Sequence, residues 1–172
     1  MDRELDPAHL GDHVDRLYRA AWALTGSRED AEDLVQDTYV RVLSKRRFLR
    51  REDDLGYLLR VLRNTFLNEQ RTRSRRPRTT ALPEGADFVE QRAGGQPERA
   101  LEAREVYEAI AGLQDDFRDV LVAVDVAGLS YREAAKLLGA KEATITSRLF
   151  RARRQVAAGM DRGRSGVLEE KG

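Results

Sequence analysis

The sequence predicts an all-α protein of two small helical domains joined by a flexible linker, the C-terminal one containing a helix-turn-helix. Three observations predict it. Apolar residues recur at helical spacing through both ends of the chain. Between them, residues 77–97 (PRTTALPEGADFVEQRAGGQP) carry three prolines and three glycines and hold no period. Finally, residues 128–154 (GLSYREAAKLLGAKEATITSRLFRARR) read as helix, glycine turn and helix. The expected boundaries are an N-terminal domain over 1–76, a linker over 77–97, a C-terminal domain over 98–160 and a frayed tail over 161–172, with glycines from Gly159 onward.

A first helix is expected from Pro7 or Ala8 to Leu24, with Leu10, Val14, Leu17, Ala21 and Leu24 on one stripe. Pro7 suits the first turn, where its missing amide costs nothing. Trp22 reads as core or as an anchor at the core's boundary. Ser27 and Asp30 cap a second helix, REDAEDLVQDTYVRVLSK, whose inward face is Ala31, Leu34, Val35, Thr38 and Val42. Its other face aligns Glu29, Asp33, Gln36, Asp37 and Val40. One apolar residue rimmed by carboxylates is the pattern of a docking surface for another protein.

Residues 44–54 form a basic loop holding Phe48, and Asp54 caps a third helix that runs to about Arg73. Leu55, Leu58, Leu59, Leu62 and Phe66 make its core stripe. The opposite face carries Tyr57, Arg60, Asn64, Asn68 and Arg71. A ring, two amides and two guanidinium groups suit stacking on bases, bonding to base edges and gripping phosphate.

The second domain opens near Glu98 with Leu101, Val106, Ile110 and Leu113. A nearly all-apolar helix, FRDVLVAVDVAG, follows as its centre, capped by Asp115 or Asp116. Ser130 and Glu133 form a capping box ahead of Ala134, Ala135, Leu137 and Leu138. Gly139 supplies the left-handed turn. The second helix of the motif buries Ile145, Leu149, Ala152 and Val156. It turns Ala143, Ser147, Phe150, Arg151 and Arg154 outward, flanked by Thr146 and Arg148.

Charge supports a nucleic-acid reading. The formal net charge is +1, but residues 45–78 hold twelve Lys/Arg against four Asp/Glu, and residues 141–164 hold seven against two. Two separated basic blocks suit one polyanion touched at two places. The absence of cysteine excludes disulfides, thiolate zinc sites and a cysteine nucleophile. No phosphate loop or nucleophile–base arrangement is visible, and His9 and His13 lack a third metal ligand at suitable spacing. The expectation is therefore a non-enzymatic protein without metal or cofactor. No apolar run approaches about 20 residues, so membrane insertion is not expected and the cytoplasm is the expected location.

SREDAEDLVQDTYVRVL, LGYLLRVLRNTFLNEQRTRSRRPR and LQDDFRDVLVAVDVAGLSYREAAKLLGAKEATITSRLFRARR, in that order, resemble an extracytoplasmic-function (ECF) sigma factor of the sigma-70 family. The resemblance implies a promoter-specificity subunit of bacterial RNA polymerase, controlled by an anti-sigma factor. It implies that Asp33, Gln36, Asp37 and Val40 dock on the clamp helices of the largest polymerase-core subunit. Phe48, Tyr57, Arg60, Asn64, Asn68 and Arg71 would take the minus-ten promoter DNA. Thr146, Ser147, Arg148, Phe150, Arg151 and Arg154 would read the minus-thirty-five element. Two positions depart from the family pattern: Tyr57 where tryptophan is common, and Thr146 where lysine or arginine is common. The alternative reading is a stand-alone dimeric helix-turn-helix transcriptional regulator, which predicts a palindromic site.

Overall fold

The structure, a computed structural model, describes residues 3–4, 7–44, 48–49, 54–75 and 97–169, with side-chain surroundings for 8–44, 54–75 and 98–163. Most of the expected linker, Arg76 and Arg78, and most of the basic loop before residue 54 lie outside the described residues.

The described fold is helical apart from one two-residue strand pair. β1 (Arg3–Glu4) pairs antiparallel with β2 (Phe48–Leu49), Arg3 opposite Leu49. The expected first helix is in fact two pieces. α1 (Pro7–Leu10) and α2 (Val14–Thr25) are separated by a tighter three-residue turn at Gly11–His13. Gly11 is a poor helix former placed where the turn occurs. α3 (Arg28–Leu43) starts on Ser27, whose hydroxyl accepts from the Asp30 amide at 3.3 Å. All five residues expected on its inward face are buried. Thr38 reaches full burial because its hydroxyl donates to the Leu34 carbonyl at 2.7 Å, leaving its methyl group for the core.

α4 (Asp54–Arg75) buries Leu58, Leu59, Leu62 and Phe66. α5 (Pro97–Ala111) then leads to α6 (Asp115–Leu121), which continues into a single π turn, Val122–Val126. There the Ala127 amide donates five residues back to Val122 at 2.8 Å. Val120, Leu121, Val122 and Ala123 are buried in succession, which makes this the central helix of the C-terminal set. α7 (Tyr131–Leu138) and α8 (Glu142–Glu169) complete the chain. The expectation of fraying from Gly159 is not met, since α8 continues to Glu169. Isolated glycines cost a helix only about 1 kcal/mol each. Here Val156, Ala157 and Met160 also line an apolar groove against α5 and α2.

The two helix sets lie against each other and share one hydrophobic cluster. Trp22 on α2 packs on Tyr107 of α5 with ring centroids 4.5 Å apart, and it is 5% exposed. On α4, Arg63 Nε donates to Asp119 of α6 at 2.7 Å, while the Arg118 guanidinium sits 4.9 Å over the Phe66 ring. Asp119 also receives Arg118 at 3.4 Å, so one buried carboxylate serves a cation from each set.

The helix-turn-helix forms as its residues demand. Ser130 accepts from the Glu133 amide at 3.2 Å, and Glu133 accepts from the Ser130 amide at 2.8 Å. Gly139 ends α7 at φ +64, where a Cβ would be strained. The Ser130 hydroxyl and amide hold the Glu133 carboxyl below its ordinary value.

Two outcomes follow. Asp119→Ala removes the partner of Arg63 and one of the two carboxylates that hold the buried Arg118 in the seam between the sets. Breaking a buried pair this way costs roughly 3 kcal/mol, the low end of the usual range because Arg118 keeps Asp115 at 3.0 Å; urea unfolding measures it. Ser130→Ala lowers stability by about 1 kcal/mol at neutral pH. Because the Glu133 carboxyl is depressed in the fold, its contribution is complete above the ordinary glutamate value. It is lost as pH falls through the lower folded value. The gap between the two melting temperatures should narrow there but not close, because the bond from the Glu133 amide to the Ser130 hydroxyl does not titrate.

Candidate protein and nucleic-acid interfaces

Three outward faces are built on these helices. On α3, the helical period that buries Leu34, Val35 and Thr38 necessarily turns Asp33, Gln36, Asp37 and Val40 to solvent, and all four are exposed. Val40 is 66% exposed, and Leu43, one turn further on, is 56% exposed. The face is thus a carboxylate rim around two apolar side chains rather than one. Leu43 was missed in the sequence because it falls beyond the acidic run, although its three-residue spacing from Val40 was a usable signal. Beneath the rim, Glu69 of α4 approaches Asp37. Burial first, then the Asp37 charge, pushes the Glu69 carboxyl above its ordinary value. Nearby, Asp30 takes Arg73 of α4 at 3.3 Å. The acidic face of α3 and α4 are therefore joined through charged groups.

On α4, Arg60, Asn64, Asn68 and Arg71 are exposed along one side, as their spacing requires. Tyr57 is half-buried and packs against the core, so part of its ring serves the fold. Phe48 lies in β2 beside the N-terminal strand, and its side chain falls outside the described residues. The structure thus brings five of the six expected minus-ten residues onto a single helix.

On α8, Ile145, Leu149 and Ala152 are buried, and Thr146, Ser147, Phe150, Arg151 and Arg154 are exposed. Phe150 is 62% exposed, and the Arg154 guanidinium lies 5.7 Å from its ring centroid. An exposed ring backed by a cation offers apolar contact to a thymine methyl and charge to a phosphate. Thr146 donates back to the Glu142 carbonyl at 3.0 Å and Ser147 to the Thr144 carbonyl at 3.1 Å. Both hydroxyl oxygens can still accept from a ligand.

Arg148 stands apart. It is half-buried, and its guanidinium meets Asp116 of α6 at 2.8 Å. On the other flank Arg153 donates to both oxygens of Asp125 at 2.8 and 2.7 Å. That two-pronged bond raises the Arg153 pKa above its ordinary value. Asp116 is expected from the sequence only as a cap of α6, which instead starts after Gln114 with no side-chain cap. Nothing in the sequence marks either Asp116 or Asp125 as a partner, because each lies more than twenty residues from its arginine.

The three faces are open at once in a chain whose two helix sets are in contact. Among the described residues, no helix is long and apolar enough to cross a membrane.

Comparison with known proteins agrees with this layout. Residues 10–76 match the family described as sigma-70 region 2, and residues 103–156 match sigma-70, region 4. The chain is 37% identical over 147 residues to the ECF RNA polymerase sigma factor SigE of Mycolicibacterium smegmatis, covering 84% of this chain and 57% of that protein. It is 34% identical to the ECF sigma factor EcfG of Rhodopseudomonas palustris, covering 84% and 79% of the two chains. Among solved structures, the sigma factor RpoE of Bartonella quintana, in complex with the anti-sigma factor NepR, superposes with a TM-score of 0.65. That match has 24% identity and covers 90% of this chain and 95% of that one. CnrH, in complex with the cytosolic domain of CnrY, gives a TM-score of 0.61 at 22% identity, over 90% and 86% of the two chains.

Proposed function

Since the chain belongs to the ECF sigma factors of the sigma-70 family, we propose that it is the promoter-specificity subunit of a bacterial RNA polymerase, acting in the cytoplasm. The observation that carries this is the simultaneous presentation of an acidic–apolar face on α3 and two cationic faces on α4 and α8. Its role is binding; polymerase supplies the chemistry. Residues 1–76 form the docking and minus-ten unit, residues 98–160 the minus-thirty-five unit, and residues 77–97 connect them.

Asp33, Gln36, Asp37 and Val40, with Leu43, engage the clamp helices of the polymerase core. Tyr57, Arg60, Asn64, Asn68 and Arg71, joined by Phe48, hold the unwound strand. Stacking and edge contacts there offset an unpairing cost on the order of a few kcal/mol. Ser147, Phe150, Arg151 and Arg154, with Thr146 beside them, read the major groove, where a good bidentate contact discriminates by about 1–3 kcal/mol. An anti-sigma factor fits the same faces, because the partner that covers them removes both polymerase and promoter binding.

Spacing sets the order of events. Elements centred about 25 base pairs apart, at ~3.4 Å per pair, are separated by roughly 85 Å. A compact chain of this size has a radius of gyration of only about 16 Å. The Arg63–Asp119 and Trp22–Tyr107 contacts therefore separate when both elements are engaged, and polymerase holds the two units at that distance.

Run-off transcription with core polymerase on a genomic-fragment library tests the function. Promoter-dependent transcripts are expected from the full chain, and their absence refutes the reading. Asp33→Lys with Asp37→Lys reduces core-polymerase affinity at least tenfold, about 1.4 kcal/mol; unchanged affinity in a pull-down titration removes α3 as the docking face. Asn64→Ala lowers transcription from duplex promoters more than from templates already melted at the minus-ten element. Sedimentation of the purified protein is expected to show a monomer, whereas a dimer favours the stand-alone regulator.

A further inference from the structure

Four arginines stand between Arg148 and Arg154 on α8, and the structure divides them into two kinds. Arg151 and Arg154 point away from the buried stripe of Ile145, Leu149 and Ala152. At ~100° per residue, Arg148 and Arg153 fall about 70° to either side of that stripe. Each meets a carboxylate on the helix beneath. Arg148 reaches Asp116 in the first turn of α6 at 2.8 Å. Arg153 grips both oxygens of Asp125 in the π turn that continues α6. The recognition helix is thus tied on both flanks to the two ends of one underlying helix.

A helix resting on leucine, isoleucine and alanine is held down by non-directional forces, which resist rolling about the axis only weakly. Charged hydrogen bonds are directional, and a two-pronged one most of all. Rolling α8 either way lengthens one of the two pairs. A roll of about 20° carries a surface atom, ~5–6 Å from the axis, through roughly 2 Å. That is enough to lose a hydrogen bond to a base edge.

We propose that Arg148–Asp116 and Arg153–Asp125 are positioning pairs that set the roll of α8 in the major groove. They thereby select which base edges Ser147, Phe150, Arg151 and Arg154 meet. Arg148 holds the recognition helix and does not grip DNA. This rests on the promoter-reading role proposed above, and Arg153, absent from the expected interface, enters it as the second support.

The test uses the full chain with core polymerase and the strongest promoter recovered from the fragment library. The readouts are the ratio of transcription with the intact against a scrambled minus-thirty-five element, and the slope of log affinity against log salt. Arg148→Ala and Arg153→Ala each lower the ratio about tenfold and leave the salt slope unchanged. The exchange Arg148→Asp with Asp116→Arg restores most of the ratio. Ile145→Val, which loosens the buried stripe without touching either pair, lowers the melting temperature but keeps the ratio.

If Arg148→Ala instead reduces the salt slope by about 0.9, the loss of one phosphate contact, the positioning role is overturned. Equal loss of discrimination in Ile145→Val overturns it as well, as does failure of the exchange to restore the ratio. Failure of the wild-type chain to direct any promoter-dependent transcript refutes the parent reading instead.

Discussion

The close packing of α2 is the constraint on which the rest of the structure depends. Ala20, Ala21 and Ala23 are fully buried, with Leu17, Trp22 and Leu24 buried beside them. Small side chains let α3, α4, α5 and the π turn all approach α2 closely. Trp22 then spans the seam to Tyr107, and Arg28 lies 4.7 Å over the indole ring. Gly26 completes the arrangement. It ends α2 at φ +74, and a Cβ there would stand 3.0 Å from the Ala111 side chain. A side chain at this position is disfavoured both by the backbone and by the neighbouring helix. A helix serving two sets compensates for the small core that each set could build alone.

Charge is distributed according to a different rule. The basic blocks look uniform in sequence, but several cations are engaged within the fold. Arg63 and Arg73 join α4 to α6 and to α3, Arg148 and Arg153 join α8 to α6 and its π turn, and, outside the two blocks, Arg118 is buried over Phe66. The more exposed pairs, Arg73–Asp30 and the two on α8, add only about 0–1 kcal/mol each to stability, unlike the buried cluster at Asp119. Orientation is the larger effect for these three, because each ties a helix with an exposed face (α3, α4 or α8) to a neighbour. The positive charge left on the outside is narrower and better aimed than residue counting suggests.

Much of this was legible in the sequence, for reasons that are local. The inward face of α3, the core stripe of α4, the capping box at Ser130 and the turn at Gly139 each follow from residues within one or two helical turns. The exposed positions of α8 follow from the same period. What was not legible depends on partners distant in the chain. Asp116 and Asp125 are ordinary acidic residues until α6 lies under α8. The π turn has no turn residue to announce it. Likewise, the break at Gly11–His13 sits inside an uninterrupted apolar period, and the continuation of α8 through Gly159 reflects packing by Val156 and Met160 against a helix some fifty residues earlier.

The acidic–apolar face of α3 is where local stability and the arrangement of side chains disagree. Glu69 and Asp37 bring two carboxyl groups together, with Asp30 adding further negative charge and Arg73 offsetting only part of it. Val40 and Leu43 stand in water beside them. Neither feature helps the isolated chain: like charges repel, and exposed aliphatic groups gain nothing from solvent. Both become favourable against a surface that is cationic at its rim and apolar at its centre, because such a surface screens the carboxylates and covers the two side chains in one step. Conflicts between local rules and the fold concentrate at functional sites. This one falls on the helix farthest from nucleic-acid chemistry in its composition, which is where a protein partner rather than DNA is expected.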